Sequence, residues 1–236
     1  MGLKRHIPNA ITSCNLLSGV VGLVFAFSGR ADLAFFMMLA AGAFDFCDGL
    51  AARALGVSSP LGRELDSLSD AVSFGVLPSA MLFTAMPEGL TRWITLLPAV
   101  FSALRLAKFN LDERQHSGFL GLPTPSSAIL CGSIAAYAFF RPTSWLGQLC
   151  ATPWFLPVLA ALLCFLLVCE IPFFAFKKAQ DGASFPVLSL KRTAFFCLAA
   201  LAVIVTAVLG WHWTAVPLLV FASYILENLV FAVFRV

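Results

Sequence analysis

Residues Phe44 to Phe74 read FDFCDGLAARALGVSSPLGRELDSLSDAVSF, and they carry four aspartates, Asp45, Asp48, Asp66 and Asp70, in a chain with only 12 acidic residues. Apolar runs flank the segment on both sides. At about 100° per residue, Asp45, Asp48, Gly49, Ala52 and Arg53 share one helical arc of roughly 140°. Gly62, Asp66 and Asp70 then recur at four-residue intervals along a second face. Between them, Gly56-Val57-Ser58-Ser59-Pro60 is a turn that lets two helices return antiparallel with these faces opposed.

What surrounds the segment fixes its solvent. The 236 residues are 60% hydrophobic and 11% charged, include 24 Phe, and have a mean hydropathy of +0.93. A soluble domain of this size cannot cover that much apolar surface, so the bilayer is its solvent and helices satisfying their own backbone are its elements. Stretches near 20 residues fall at about 9–28, 32–54, 66–86, 90–109, 123–141, 153–176, 193–210 and 212–234. They predict an all-α integral membrane bundle of about eight helices in a single membrane domain, 1–236, with a tight turn at Gly210-Trp211 closing a C-terminal hairpin. The polar interruptions Asn9, Thr12 and Asn15 mark the first run as a retained helix and not a cleaved signal.

Eight spans place Lys4, Arg5, Arg53, Arg63, Arg105, Lys108, Arg114, Lys177, Lys178, Lys191, Arg192 and Arg235 on one side, and Arg30, Arg92 and Arg141 on the other. Twelve against three predicts that both termini are cytoplasmic. The net charge of +3 therefore belongs to helix ends facing lipid headgroups and is no signature of nucleic-acid binding. The seven cysteines form no CxxC pair and sit mostly in apolar runs, which argues against disulfides and zinc. His6, His116 and His212 have no ligand spacing.

Carboxylates inside a membrane require a partner or a cation. Arg53 and Arg63 suffice for two of the four, which disfavours a purely structural set of ion pairs. Four carboxylates converging from two helices suit a hard divalent cation, with phosphate completing its shell. Gly49 and Ala52 leave room for a bulky ligand, and Arg53 offers a fork for phosphate oxygens. A cation-coupled transporter is the rival explanation, although these acids gather at one cytoplasmic edge and not toward the midplane.

The spacing D-x2-D-G-x2-A-R-x8-G-x3-D-x3-D, met at all eight positions by Asp45, Asp48, Gly49, Ala52, Arg53, Gly62, Asp66 and Asp70, resembles the signature of the CDP-alcohol phosphotransferases. Further stretches are similar to the bacterial membrane-integral phosphatidylserine synthases within that family. They are Ile7-Pro8-Asn9-x2-Thr12-x2-Asn15-x3-Gly19, SPLGRELDSLSDAVSFGVLPS, RLAKFN from Arg105 to Asn110, and GFLGLPTPSSA from Gly118 to Ala128. The resemblance implies a homodimeric helical bundle of the bacterial inner membrane, built on a six-helix core, with its active site facing the cytoplasm. It implies a divalent site, Mg²⁺ or Mn²⁺ and two ions, on Asp45, Asp48, Asp66 and Asp70, with Gly49, Ala52, Arg53 and Gly62 at the nucleotide. Asp70 is then the general base, the donor is CDP-diacylglycerol, the acceptor is L-serine and CMP leaves. Glycerol 3-phosphate, inositol phosphate and choline are the alternative acceptors.

Three groups of residues are expected around that centre. Asn9 and Thr12 cap the first helix or touch the nucleotide. Arg105, Lys108 and Asn110 hold the serine carboxylate or a lipid phosphate, or simply flank the membrane. Glu170 and Glu227 are expected to pair with basic or polar groups across the bundle.

Overall fold

The structure, a computed structural model, describes residues 6–57, 59–111, 119–174 and 185–233. Helix α1 spans His6–Phe27 and α2 Ala31–Leu55. Helix α3 runs through Pro60–Ala85 with a π-helical turn at Ala71–Val76, and α4 runs through Leu90–Leu111, opening as a 3₁₀ helix. Then follow α5 Thr124–Phe140, α6 Trp145–Cys150, α7 Phe155–Val168, α8 Phe185–Val208 and α9 Ala215–Val233. Phe119–Leu120 (β1) and Pro172–Phe173 (β2) form a two-residue antiparallel ladder.

The protein is thus an all-α integral membrane bundle. Among the described residues, six helices, α1 to α4, α8 and α9, are long and apolar enough to cross a bilayer, and α5 and α7 are shorter apolar helices. Its outer surface is apolar: Leu17, Val24, Phe27, Phe165, Ile204 and Leu226 are each more than half exposed. Hydrocarbon, and not water, is the solvent that tolerates such a surface.

Helix α5, of 17 residues, is enclosed. Twelve of its residues, from Thr124 to Tyr137, are buried. Ala128, Ala135 and Ala136 pack against α1 to α3 through Ala26, Phe35, Met38 and Leu77, while Leu130, Ile134 and Tyr137 join a second core with α7 and α9. Small residues bring the backbones close. A Cβ on Gly22 would stand 2.6 Å from Leu77, one on Gly132 would stand 2.5 Å from Met38, and one on Gly19 would overlap the Ser73 side chain.

Several boundaries differ from the hydropathy expectation. The third span begins at Pro60 and not near 66, because Ser59 accepts a hydrogen bond from the Gly62 amide (3.0 Å) and Pro60 suits the first turn. The sixth span ends at Val168 and not near 176, since the chain turns extended to pair β2 with β1. The seventh begins at Phe185 and not near 193, and the six-residue α6 was not foreseen. The hairpin turn is found as expected, with Gly210 at φ +62°. Lys4, Arg5, Arg114, His116, Gly118, Lys177, Lys178 and Arg235 lie outside the described residues.

Gly121 combines φ +80° with a crowded site, where a Cβ would meet the Leu167 carbonyl oxygen at 2.7 Å and that of Cys169 at 2.9 Å. Gly29, at φ +72°, has nothing within 4 Å. Gly29→Ala is expected to cost about 1–2 kcal/mol from the left-handed backbone alone. Gly121→Ala carries the same strain plus a backbone collision, so thermal unfolding in detergent should show it clearly less stable than Gly29→Ala.

Candidate active site

Four side chains near one end of the bundle, together with their partners on α1, make the site. Helix α2 ends at Leu55, and Gly56 in the left-handed conformation (φ 62°) reverses the chain. Asp45 and Asp48 therefore sit ten and seven residues inside that end (55−45 and 55−48), and Asp66 and Asp70 sit six and ten residues beyond Pro60 (66−60 and 70−60). At 1.5 Å per residue these depths match, so the two pairs face each other about 10–15 Å inside the helix ends.

One carboxylate oxygen from each of Asp45, Asp48 and Asp66 lies within 4.8 Å of the other two. Asp48 is buried, and Asp45, Asp66 and Asp70 are half-buried. Oδ1 of Asp66 is buried without a hydrogen-bond partner among the described residues. No ion pair joins Arg53 or Arg63 to any of the four carboxylates among the described residues, where the ion pairs seen are Arg30–Asp32 (2.7 Å) and Lys108–Glu170 (3.5 Å). Converging like charges in a medium of low dielectric repel strongly. An orphaned buried oxygen within an all-oxygen donor set fits a hard divalent cation, so the cluster is able to bind a metal.

Helix α1 supplies the neutral partners. Thr12 Oγ1 donates to Asp48 Oδ2 (2.6 Å), and Asn15 Nδ2 donates to Asp70 Oδ1 (3.1 Å). In return α3 donates to the α1 backbone, from Ser69 Oγ to the Thr12 carbonyl (3.3 Å) and from Ser73 Oγ to the Asn15 carbonyl (3.1 Å). The π-helical turn that carries Ser73 begins directly after Asp70. Such a turn inserts an extra residue and changes the face presented beyond it, a device frequent at functional sites.

A cavity of about 510 Å³ opens beside the triad, between the start of α1, the end of α2 and the start of α3. Asn9, Thr12, Asp48, Gly49, Ala52, Gly62, Arg63, Glu64 and Asp66 are among the residues that line it. Gly62 is needed there, because a Cβ would press to 3.1 Å on both Asn9 Oδ1 and Ser59 Oγ. The Arg53 side chain is exposed and lies against Gly49, 3.5 Å from where a Cβ would stand.

The other sequence candidates divide. Arg105 is buried and donates to Thr124 Oγ1 (3.0 Å), on a helix that packs against the π-helical turn following Asp70. Lys108 pairs with Glu170, which follows α7 and does not lie inside it. Asn110 donates to Ser67 Oγ (2.8 Å). Glu227 is buried with both carboxylate oxygens lacking a hydrogen-bond partner among the described residues, and the basic group that faces it across the bundle is Lys191. His6 begins α1, and His212 sits in the hairpin turn, 3.0 Å from Thr214 Oγ1 and stacked on Phe140. Sequence reasoning missed Asn15 as a site residue and Arg63 as a wall of the cavity. Asn15 stood in the first-helix pattern, but nothing in one dimension pairs it with a residue 55 positions away.

Fold and site together define a polytopic membrane protein with an acidic, cation-ready centre beside a polar cavity. Residues 5–165 match the CDP-alcohol phosphatidyltransferase family. Relatives named CDP-diacylglycerol–serine O-phosphatidyltransferase include that of Mycobacterium bovis, 33% identical over 221 residues (87% of this chain, 73% of the relative). Another, from Bacillus subtilis, is 31% identical over 178 residues (74% and 93%). An archaetidylserine synthase of Methanothermobacter thermautotrophicus is 32% identical over 144 residues (58% and 61%). The chain belongs to the CDP-alcohol phosphatidyltransferase family, and it is a membrane-embedded transferase.

Thr12→Val keeps the shape of the side chain and removes the hydrogen bond that orients Asp48. It should weaken Mn²⁺ binding by about 10–100-fold, the usual penalty for losing a partner of a metal ligand. Electron paramagnetic resonance of Mn²⁺ bound to the purified protein would read the loss directly, and unchanged affinity would show that the Thr12 hydroxyl does not orient a metal ligand.

Proposed function

We propose that this protein transfers the phosphatidyl group of CDP-diacylglycerol to L-serine, forming phosphatidylserine and releasing CMP. The observation that carries the proposal is a division of labour among the carboxylates. Asp45, Asp48 and Asp66 converge beside the cavity, whereas Asp70 is held separately by Asn15 on the side where Arg105 is buried. The names of the relatives support serine as the acceptor.

The cavity takes the cytidine diphosphate. Gly49, Ala52 and Gly62 admit it by their small size, Asn9 and Thr12 offer polar contacts, and Arg53 and Arg63 stand near enough to the opening to meet phosphate oxygens. Divalent cations, Mg²⁺ or Mn²⁺ and two in the complete site, would be held by Asp45, Asp48 and Asp66 with Asp70 as fourth ligand, and they supply neutralising charge for the pyrophosphate and the leaving CMP. The diacylglycerol chains remain in the bilayer along the apolar surface. Arg105 holds the serine carboxylate, aiming the hydroxyl at Asp70. Asp70 takes the hydroxyl proton as the serine oxygen attacks the phosphorus bonded to diacylglycerol. The P–O bond to CMP breaks, and CMP departs with that electron pair.

The bias of basic residues supports a cytoplasmic face for the site, in a bacterial inner membrane with both termini on that side. The family resemblance supports a homodimer. Serine requires one cationic contact for its carboxylate, whereas glycerol 3-phosphate or inositol phosphate requires a basic cluster. The single buried Arg105 favours serine.

Purified protein in detergent, given CDP-diacylglycerol and Mg²⁺ or Mn²⁺, should release CMP only when L-serine is added. Release with another alcohol would reassign the acceptor, and no release with any alcohol from folded protein would reject the transferase reaction. Asp70→Asn should lower kcat by about 10²–10⁴-fold, as expected for loss of a general base, while CDP-diacylglycerol still binds. Normal turnover by that variant would overturn the role of Asp70.

A further inference from the structure

The C-terminal hairpin, α8 and α9, lies wholly beyond the family-matched residues 5–165. Helix α9 nevertheless grips the chain beside the proposed acceptor side of the site. Tyr224 donates its hydroxyl to the Phe174 carbonyl (3.0 Å), and Asn228 Oδ1 accepts from the Phe174 amide (3.0 Å). Asn228 in turn donates to the Tyr224 carbonyl (2.8 Å). Both backbone groups of one residue are thus held by two side chains a turn apart on α9. Tyr224 and Asn228 are buried, and the Phe174 and Tyr224 rings meet edge to face with centroids 5.1 Å apart.

Phe174 ends the segment that pairs with the entry to α5. Pro172–Phe173 forms the ladder with Phe119–Leu120, and the Gly121 amide donates to the Ile171 carbonyl (2.9 Å). The next turn begins α5 at Thr124, which is fully buried and accepts from Arg105 Nη1 (3.0 Å). Burial gives these contacts weight, since a hydrogen bond shielded from water constrains geometry more strongly than an exposed one.

We propose that α9, through Tyr224 and Asn228, positions Arg105 for the acceptor, so that the hairpin outside the family-matched segment sets acceptor affinity. The proposal rests on Arg105 binding the acceptor carboxylate. Tyr224 and Asn228 are positioning residues: they act on Arg105 through the Phe174 peptide, the strand pair and Thr124, and need not touch substrate. The triad Asp45, Asp48 and Asp66 on α2 and α3 lies off this route, so binding of CDP-diacylglycerol should be spared.

The test uses the full chain in detergent and separates KM for L-serine, KM for CDP-diacylglycerol and kcat. Tyr224→Phe and Asn228→Leu each preserve side-chain shape and remove the bonds to Phe174. Each should raise the serine KM by about tenfold, equivalent to about 1.4 kcal/mol or one buried hydrogen bond. The KM for CDP-diacylglycerol should move by less than about twofold, the pattern of a loss confined to the acceptor. Because both variants loosen the same peptide, the double variant should raise the serine KM by less than the product of the single effects. An unchanged serine KM in whichever single variant folds overturns the proposal, as does a parallel loss in all three parameters. Arg105→Gln, which removes the charge, distinguishes the underlying assignment. If it leaves the serine KM unchanged, Arg105 does not bind the acceptor and both statements fall. If it raises that KM while the α9 variants do not, only the role of α9 fails.

Discussion

Everything in this protein is arranged around the electrostatic problem of placing four carboxylates inside a bundle whose outer solvent is hydrocarbon. Their mutual repulsion in that medium opposes folding. Neither Arg53 nor Arg63 relieves it, since neither forms an ion pair with them among the described residues. The molecule supplies neutral donors from α1 instead, with Thr12 on Asp48 and Asn15 on Asp70, and leaves an oxygen of Asp66 without a partner among the described residues. A site neutralised by lysine or arginine would be more stable alone and would have no appetite for a metal ion.

That choice explains why α1 is built as it is. Its polar residues Thr12 and Asn15 and its glycines Gly19 and Gly22 follow one another along the buried face. The polar pair holds carboxylates at the site end, and the glycines let α3 approach until Ser73 and Leu77 fill the space of a missing side chain. The returning bonds from Ser69 and Ser73 lock the register of α3 against α1. A slip of one residue would carry Asp70 away from Asn15, so packing between these helices and the geometry of the site are one constraint.

The rest of the bundle serves the other side of Asp70. The enclosed α5 joins two apolar cores and offers Thr124 to Arg105 at its first turn. The ladder between Phe119–Leu120 and Pro172–Phe173 ties that turn to the segment gripped by α9. The cation cluster and the buried arginine thus sit on separate supports that meet only near Asp70.

Much of this was legible without coordinates. Hydropathy by itself determined the membrane class and the near-correct set of spans, because hydrocarbon admits few backbone solutions and each needs a long apolar run. Helical periodicity placed Asp45 with Asp48 and Asp66 with Asp70, since residues three or four apart share a face whatever the surroundings. Span ends were less legible: Pro60 and the pairing that stops α7 depend on local caps and a distant strand, to which a hydropathy average is blind. Only the tertiary structure decided that Asn15 serves Asp70, that Lys108 is paired with Glu170 while Arg105 is buried beside the site, and that Tyr224 reaches Phe174. Those facts depend on how helices rotate and cross. Contacts between residues tens of positions apart leave no periodic trace along a single chain.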